Sequence, residues 1–187
     1  MRLLACTVLS LLVLAAPAFA QSKTGGGTAA PTTPPPAAAA APAPAPTAGA
    51  ALAAPGVADA PAGAPAAVRG AIRAGNALQA LPYRYGGGHD TFADTAYDCS
   101  GAVSYALHGG RLLGAPMDST ELESWGAPGP GQWITVYANA DHAFVVIAGL
   151  RLDTSAAGDP GGDQNGPRWR PAIRDTANFV IRHPSGV

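Results

Sequence analysis

Cysteine is almost absent from this 187-residue chain, which has only Cys6 and Cys99, and lysine is rarer still, with Lys23 alone. Charged residues make up 12% and aromatics 6%, and the formal net charge is −1. These scarcities exclude whole classes of function. A near-neutral chain with one lysine has no polybasic surface for nucleic acid or for an anionic membrane. Beyond the N-terminus, no apolar run reaches the roughly 20 residues that a membrane-spanning helix needs.

The N-terminus reads as a secretory signal over residues 1–20. Arg2 supplies the positive start, Leu3 to Leu14 a short apolar run, and Ala18-Phe19-Ala20 a small-x-small cleavage site. Residues 21–66 read as a disordered linker. From Thr24 to Ala66 the chain is almost all Ala, Pro, Gly and Thr, with Pro34-Pro35-Pro36 and an Ala-Pro alternation over 41–46. Such a stretch lacks the large apolar side chains that offset the entropy of ordering, and proline biases it toward an extended tether. Residues 67–187 remain for one globular domain, enough for a single core. The mature protein is expected to be exported, either secreted or periplasmic and associated with the cell wall, and monomeric.

Within the domain, Val68, Ala71, Ile72 and Leu78 share a helical stripe, so a first helix is expected over 65–80, stopping before Leu81-Pro82. Asp98 caps a second helix from Cys99 to His108, and Gly109-Gly110 ends it. The pattern then changes period. Trp133–Tyr137, His142–Ala148, Leu150–Thr154 and Phe179–Arg182 are short runs rich in β-branched and aromatic residues, and they read as strands. Helices first and an antiparallel sheet afterwards is an α+β order. Gly86-Gly87-Gly88-His89 is no phosphate loop, since no Lys-Ser/Thr follows it.

Export leaves Cys99 as the one thiol, and exported domains ordinarily pair their cysteines, so it is either reactive or awaiting a partner chain. It stands in Asp98-Cys99-Ser100-Gly101 at a helix start. Free N–H groups there favour a thiolate and can stabilise an oxyanion, while the small Ser100 and Gly101 keep the approach open. The competing reading is a buried structural cysteine. Among the four histidines, His142 best fits a general base, because it opens the most apolar strand after the turn 138–141. The alternative is a histidine satisfied at a strand end. Asp153, on the next strand, shares its face. If Gly149-Leu150 form the turn, Asp153 pairs with Val146, and a bulge or strong twist must close the contact. Asp141 is adjacent in sequence but points to the opposite face. No histidine has a metal-ligand spacing with Cys99, so no metal is expected, and thiol attack on an amide needs no organic cofactor.

Leu81-Pro82-Tyr83-Arg84-Tyr85-Gly86-Gly87, then Asp98-Cys99-Ser100-Gly101, then a strand opening on His142, resembles the NlpC/P60 peptidoglycan endopeptidases. Their corresponding blocks are "PYxWGG", "DCSGFV" and "HVGIYLG". The resemblance covers the whole domain in order. It implies a papain-like core of N-terminal helices packed on an antiparallel sheet, with Cys99 as nucleophile, His142 as base and Asp153 as third residue. It also implies cleavage of stem-peptide amides in peptidoglycan, typically next to D-γ-glutamate. Tyr83 takes the place of the family's aromatic hydroxyl beside the thiol, and Asp98 and Ser100 are expected along the substrate cleft. Arg168, in Arg168-Trp169-Arg170, is a candidate to hold a substrate carboxylate, since guanidinium matches that geometry, and Ser119-Thr120 to lie near the cleft; for both, the competing reading is a surface loop. Departures mark an outlying member. Tyr85 stands for Trp, Gly131-Gln132-Trp133 lacks the acidic residue of "GDLVFF", and Asp153 stands where His is usual. A thiol acyltransferase on the same fold and a non-catalytic wall-binding module are the alternative functions.

Overall fold

The computed structural model describes residues 49–159, 166–170 and 174–187. The segment read as a signal, with Cys6, and residues 21–48 of the segment read as a linker lie outside the described residues. Inside the segment read as linker, β1 (Ala51–Ala54) and β2 (Val57–Asp59) form an antiparallel ribbon. Of its strand residues only Ala58 is buried, and the ribbon is held from outside. Asn76 Oδ1 accepts from the Ala58 N–H (2.9 Å), Asn76 Nδ2 donates to the Ala58 carbonyl (3.0 Å), and the Ala50 N–H donates to the Ala148 carbonyl (2.7 Å). Composition shows no such long-range hydrogen bonds.

Two helices follow: α1 (Ala66–Ala77), entered at Pro65, and α2 (Cys99–Gly109). They approach closely because both carry glycine at the crossing. A Cβ on Gly70 would overlap the Gly109 carbonyl, and one on Gly109 would overlap Ala74. Gly75 makes room in the same way for the Trp169 ring. A short helix α3 (Ser119–Leu122), β3 (Ala127–Pro128), β4 (Ile134–Asn139), β5 (His142–Ile147), β6 (Leu150–Asp153), β7 (Arg168–Arg170) and β8 (Val180–His183) complete the chain. The six strands β3 to β8 form one sheet in the order β3-β8-β4-β5-β6-β7, with each neighbouring pair antiparallel. The expected α+β arrangement is therefore the observed one. The sequence pattern missed α3, β3 and β7, which are too short for a periodic signal.

One face of the sheet joins the helical layer. Val136, Ala143, Val145, Ile147 and Leu152 form a core with Val68, Ile72, Val103 and Leu107. Burying each of these larger side chains stabilises the fold by roughly 1.5–3 kcal/mol. The opposite face carries a smaller aromatic cluster. Phe144 stacks on Tyr137 (4.7 Å between centroids) and meets Phe179 edge to face (5.1 Å). The edge strand β7 is tied to α1, with the Trp169 indole N–H donating to Asn76 Oδ1 (2.7 Å) and the Trp169 backbone N–H to Gln79 Oε1 (2.9 Å).

Candidate active site

Asp98 caps α2, its Oδ1 accepting from the Gly101 N–H at 2.9 Å. The same carboxylate accepts from the Gly86 N–H (2.9 Å), and its Oδ1 lies 3.0 Å from His89 Nε2 and 3.3 Å from Ser100 Oγ. His89 Nε2 is also 3.0 Å from Ser100 Oγ. Both Asp98 and Ser100 are buried. They were expected along the substrate cleft, but they instead fasten the glycine turn to the helix start. The reason is steric. Gly86 and Gly88 adopt positive φ (73° and 82°), and the turn lies so close to α2 that a Cβ on Gly101 would overlap the Gly87 carbonyl. The inward pull of His89 was missed, because a histidine in a glycine-rich turn shows no partner in sequence.

This clamp places Cys99 as the first residue of α2, where the N–H groups of the opening turn have no helical acceptor. Cys99 is a free cysteine and half-buried, so the bland alternative of a fully buried structural thiol does not describe it. Tyr83 stands beside it. The Tyr97 N–H donates to the Pro82 carbonyl (3.1 Å), and the Arg84 N–H to the Tyr97 carbonyl (3.3 Å), fixing Tyr83 next to the residues that lead into Cys99. Burial raises the Tyr83 phenol above its usual pKa, and the nearby Cys99 and Asp98 push it the same way.

His142 opens β5 directly after the β4–β5 turn. Asn139 pins that turn, its Oδ1 accepting from the N–H groups of Asp141 (3.0 Å) and His142 (2.9 Å). Opposite, β5 and β6 join through Ala148-Gly149, both at positive φ (48° and 89°), which is the two-residue hairpin geometry. The register is thus Val146 with Arg151 and Val145 with Leu152, correcting the expected pairing of Asp153 with Val146. Moving the turn one residue earlier carries Asp153 two positions nearer to His142 along the sheet. No bulge is needed. The two residues become same-face diagonal neighbours, within reach of side chains.

His142 Nε2 lies 2.8 Å from Asp153 Oδ1. Asp153 is buried, accepts from the Ser155 N–H (2.8 Å), and faces Arg151 Nε (3.3 Å) and Arg174 Nη1 (3.4 Å) through Oδ2. Burial works against its charge, but the His142 hydrogen bond and charge, the Ser155 N–H and Arg151 outweigh it and hold the carboxyl below its usual pKa. Burial likewise disfavours the His142 imidazolium. Hydrogen bonds to Asp153 and to Cys99, with their charges, overcome it and raise the imidazole to about 9. The ring therefore links the Cys99 thiol to the Asp153 carboxylate, and with Nε2 given to Asp153, Nδ1 is the nitrogen left for sulfur.

Behind Asp153 lies a buried ionic cluster. Arg151, fully buried, donates through Nη2 to both carboxylate oxygens of Asp159 (2.6 Å each), and Arg170 Nη1 donates to Asp159 Oδ2 (3.0 Å). Arg168 is engaged away from Cys99, His142 and Asp153. Its Nη1 donates to the carbonyls of Leu81 (3.2 Å) and Pro167 (2.7 Å), so it braces the backbone ahead of Tyr83. An arginine on a short edge strand satisfies nearby carbonyls before it reaches any cleft. Ser119 and Thr120 begin α3 behind the Asp118–Glu121 capping box, with Ser119 Oγ donating to the Ala140 carbonyl (3.3 Å). Among the described residues, no group of three or more His, Cys, Asp or Glu side chains could hold a metal ion. No helix among them is long and apolar enough to cross a membrane.

No protein-family model matches the chain, and no curated protein does. Solved structures do. The chain is similar to a hypothetical invasion protein of Mycobacterium tuberculosis, with 23% identity over 62% of this chain and 61% of that one, at a TM-score of 0.44. It is similar to the peptidoglycan hydrolase RipB of the same organism, with 22% identity over 62% of this chain and 64% of that one, at 0.46. It is also similar to RipD of that organism, a non-catalytic NlpC/P60 domain protein described as adapted to peptidoglycan binding, with 16% identity over 62% and 96%, at 0.45. The matches thus take in less than two thirds of the first two chains. The solved structures that this chain is similar to include NlpC/P60 domain proteins, the family that its sequence blocks resemble.

Proposed function

We propose that this chain is an outlying NlpC/P60 domain and an exported cysteine hydrolase that cuts an amide bond in peptidoglycan stem peptides. One observation carries the reading. The His142 imidazole is bonded at 2.8 Å to the buried Asp153 carboxylate and is held protonated by that carboxylate and by Cys99, a half-buried thiol at a helix start. A lone strand-end histidine or a structural cysteine does not require this combination.

The chemistry follows from the placement. Cys99 attacks the amide carbon as thiolate while His142, as imidazolium, balances the charge. The developing oxyanion meets the N–H groups at the start of α2. His142 then donates its proton to the leaving amine, the C–N bond breaks, and a thioester remains on Cys99. Water, deprotonated by His142, hydrolyses the thioester and restores the thiol. Asp153 keeps the ring oriented throughout and favours its protonated form. The segment 21–48 would tether this domain within the wall mesh after removal of the signal.

Purified muropeptides digested with the mature chain, with fragments weighed by mass spectrometry, test the activity. The parent is expected to release a stem fragment and Cys99→Ala to release none. Iodoacetamide tests the nucleophile separately. If Cys99 alkylates no faster near neutral pH than an unperturbed thiol, the catalytic assignment fails. Added amine acceptors separate hydrolysis from acyl transfer, since a transferase yields the amide adduct.

A further inference from the structure

A cleft of about 580 Å³ opens against His142, and Cys99 is not among the described residues that line it. Arg174 lines this cleft, together with Asp141, Asp175 and Phe179. The guanidinium lies 5.8 Å from the Phe144 ring centroid and 5.7 Å from that of Phe179, so the aromatic cluster supports its faces. Its only contact with Asp153 is one Nη1 at 3.4 Å, and its side chain remains 19% exposed. Among the described residues, no acceptor bonds its Nε or Nη2. Arg168 differs, because its Nη1 is bonded to two backbone carbonyls.

The chemistry decides which half of a substrate this cleft receives. After attack the acyl half is bonded to Cys99, whereas the amine half takes its proton from His142. A cleft that borders the imidazole and not the thiol lies on the amine side. We propose that it binds the departing amine half and that Arg174 clamps a free carboxylate on that fragment, using the fork geometry that guanidinium shares with carboxylates. Asp141 and Asp175, both exposed on the same cleft, oppose a simple anion. The fragment that fits therefore carries an ammonium group as well, as in a short peptide of a diamino acid with a free C-terminus. This inference rests on the roles assigned above to Cys99 and His142.

The test compares two probes on the full mature chain: L-alanyl-D-γ-glutamyl-L-lysyl-D-alanine and its C-terminal carboxamide. The parent is expected to favour the carboxylate in kcat/KM by about 10- to 100-fold, the range of a charge-assisted hydrogen bond. Arg174→Gln is expected to bring the ratio near one, and Arg174→Lys to restore part of it. Because Arg174 also touches Asp153, the ratio is the readout rather than either rate; a purely orienting role would slow both peptides equally and leave the ratio intact. A parent ratio near one, or a ratio unchanged in Arg174→Gln, overturns the inference even if hydrolysis is brisk. If neither peptide is cut, titration of Cys99→Ala with L-lysyl-D-alanine and its carboxamide decides. Carboxylate-selective binding lost in the Arg174→Gln double variant upholds the cleft while the hydrolase reading fails, and equal binding overturns the cleft as well.

Discussion

Replacing Asp153 with Asn removes one charge from the His142 environment with little change of shape, and so tests whether the carboxylate holds the imidazole charged. The imidazole is raised from 6.5 to about 9. At about 1.4 kcal/mol per tenfold change, that is on the order of 3 kcal/mol in favour of imidazolium. Burial opposes the charge, and Asp153 and Cys99 supply the compensation. In Asp153→Asn the amide oxygen can still accept from Nε2, but it carries no charge. Arg174 then loses its carboxylate partner, and Arg151 keeps only Asp159, so both cations bear more strongly on the imidazole and push it further down. The alkaline limb of kcat/KM on muropeptides is therefore expected to move from near pH 9 to about pH 7 or below. NMR titration of the His142 ring should show the same displacement directly. An alkaline limb in Asp153→Asn within about half a pH unit of the parent would refute the electrostatic account and leave Asp153 only an orienting role.

Two further outcomes follow from the same geometry. The raised His142 contributes stability that is fully present below pH 6.5 and lost as pH rises through about 9, whereas the depressed Asp153 contributes stability present above its ordinary pKa of 3.8 and lost in acid. Thermal melting should thus show the pair's full contribution between those two ordinary values, and His142→Ala should flatten the alkaline decline. Gly101→Ala, whose Cβ would overlap the Gly87 carbonyl, should destabilise the fold by about 1–3 kcal/mol in urea titration and slow Cys99 alkylation by displacing the helix start.

Much of the site was legible in the sequence because it depends on local rules. An Asp before a helical pattern caps it whatever the tertiary context, so Asp98 placed Cys99 at a helix start. The apolar run 144–147 identified β5, and strand alternation put His142 and Asp153 on one face. Arginine was the least legible. Its long side chain can reach many acceptors, and composition cannot tell Arg168, which braces carbonyls, from Arg174, which lines the cleft beside His142.

The sequence by itself determined the α+β order, the helix start that carries Cys99 and the strand that opens on His142, because caps and periodicities act over a few residues. Tertiary structure alone decided the rest. It set the hairpin register that brings Asp153 to His142, the use of Asp98, Ser100 and His89 as a clamp, and the ribbon at 51–59 held by Asn76. These depend on which polar groups meet across 9 to 18 positions of chain, and such meetings are set by packing rather than by neighbours in sequence. The lone thiol of the domain is visible from composition, but an imidazole raised to about 9 by its neighbours depends on the folded chain.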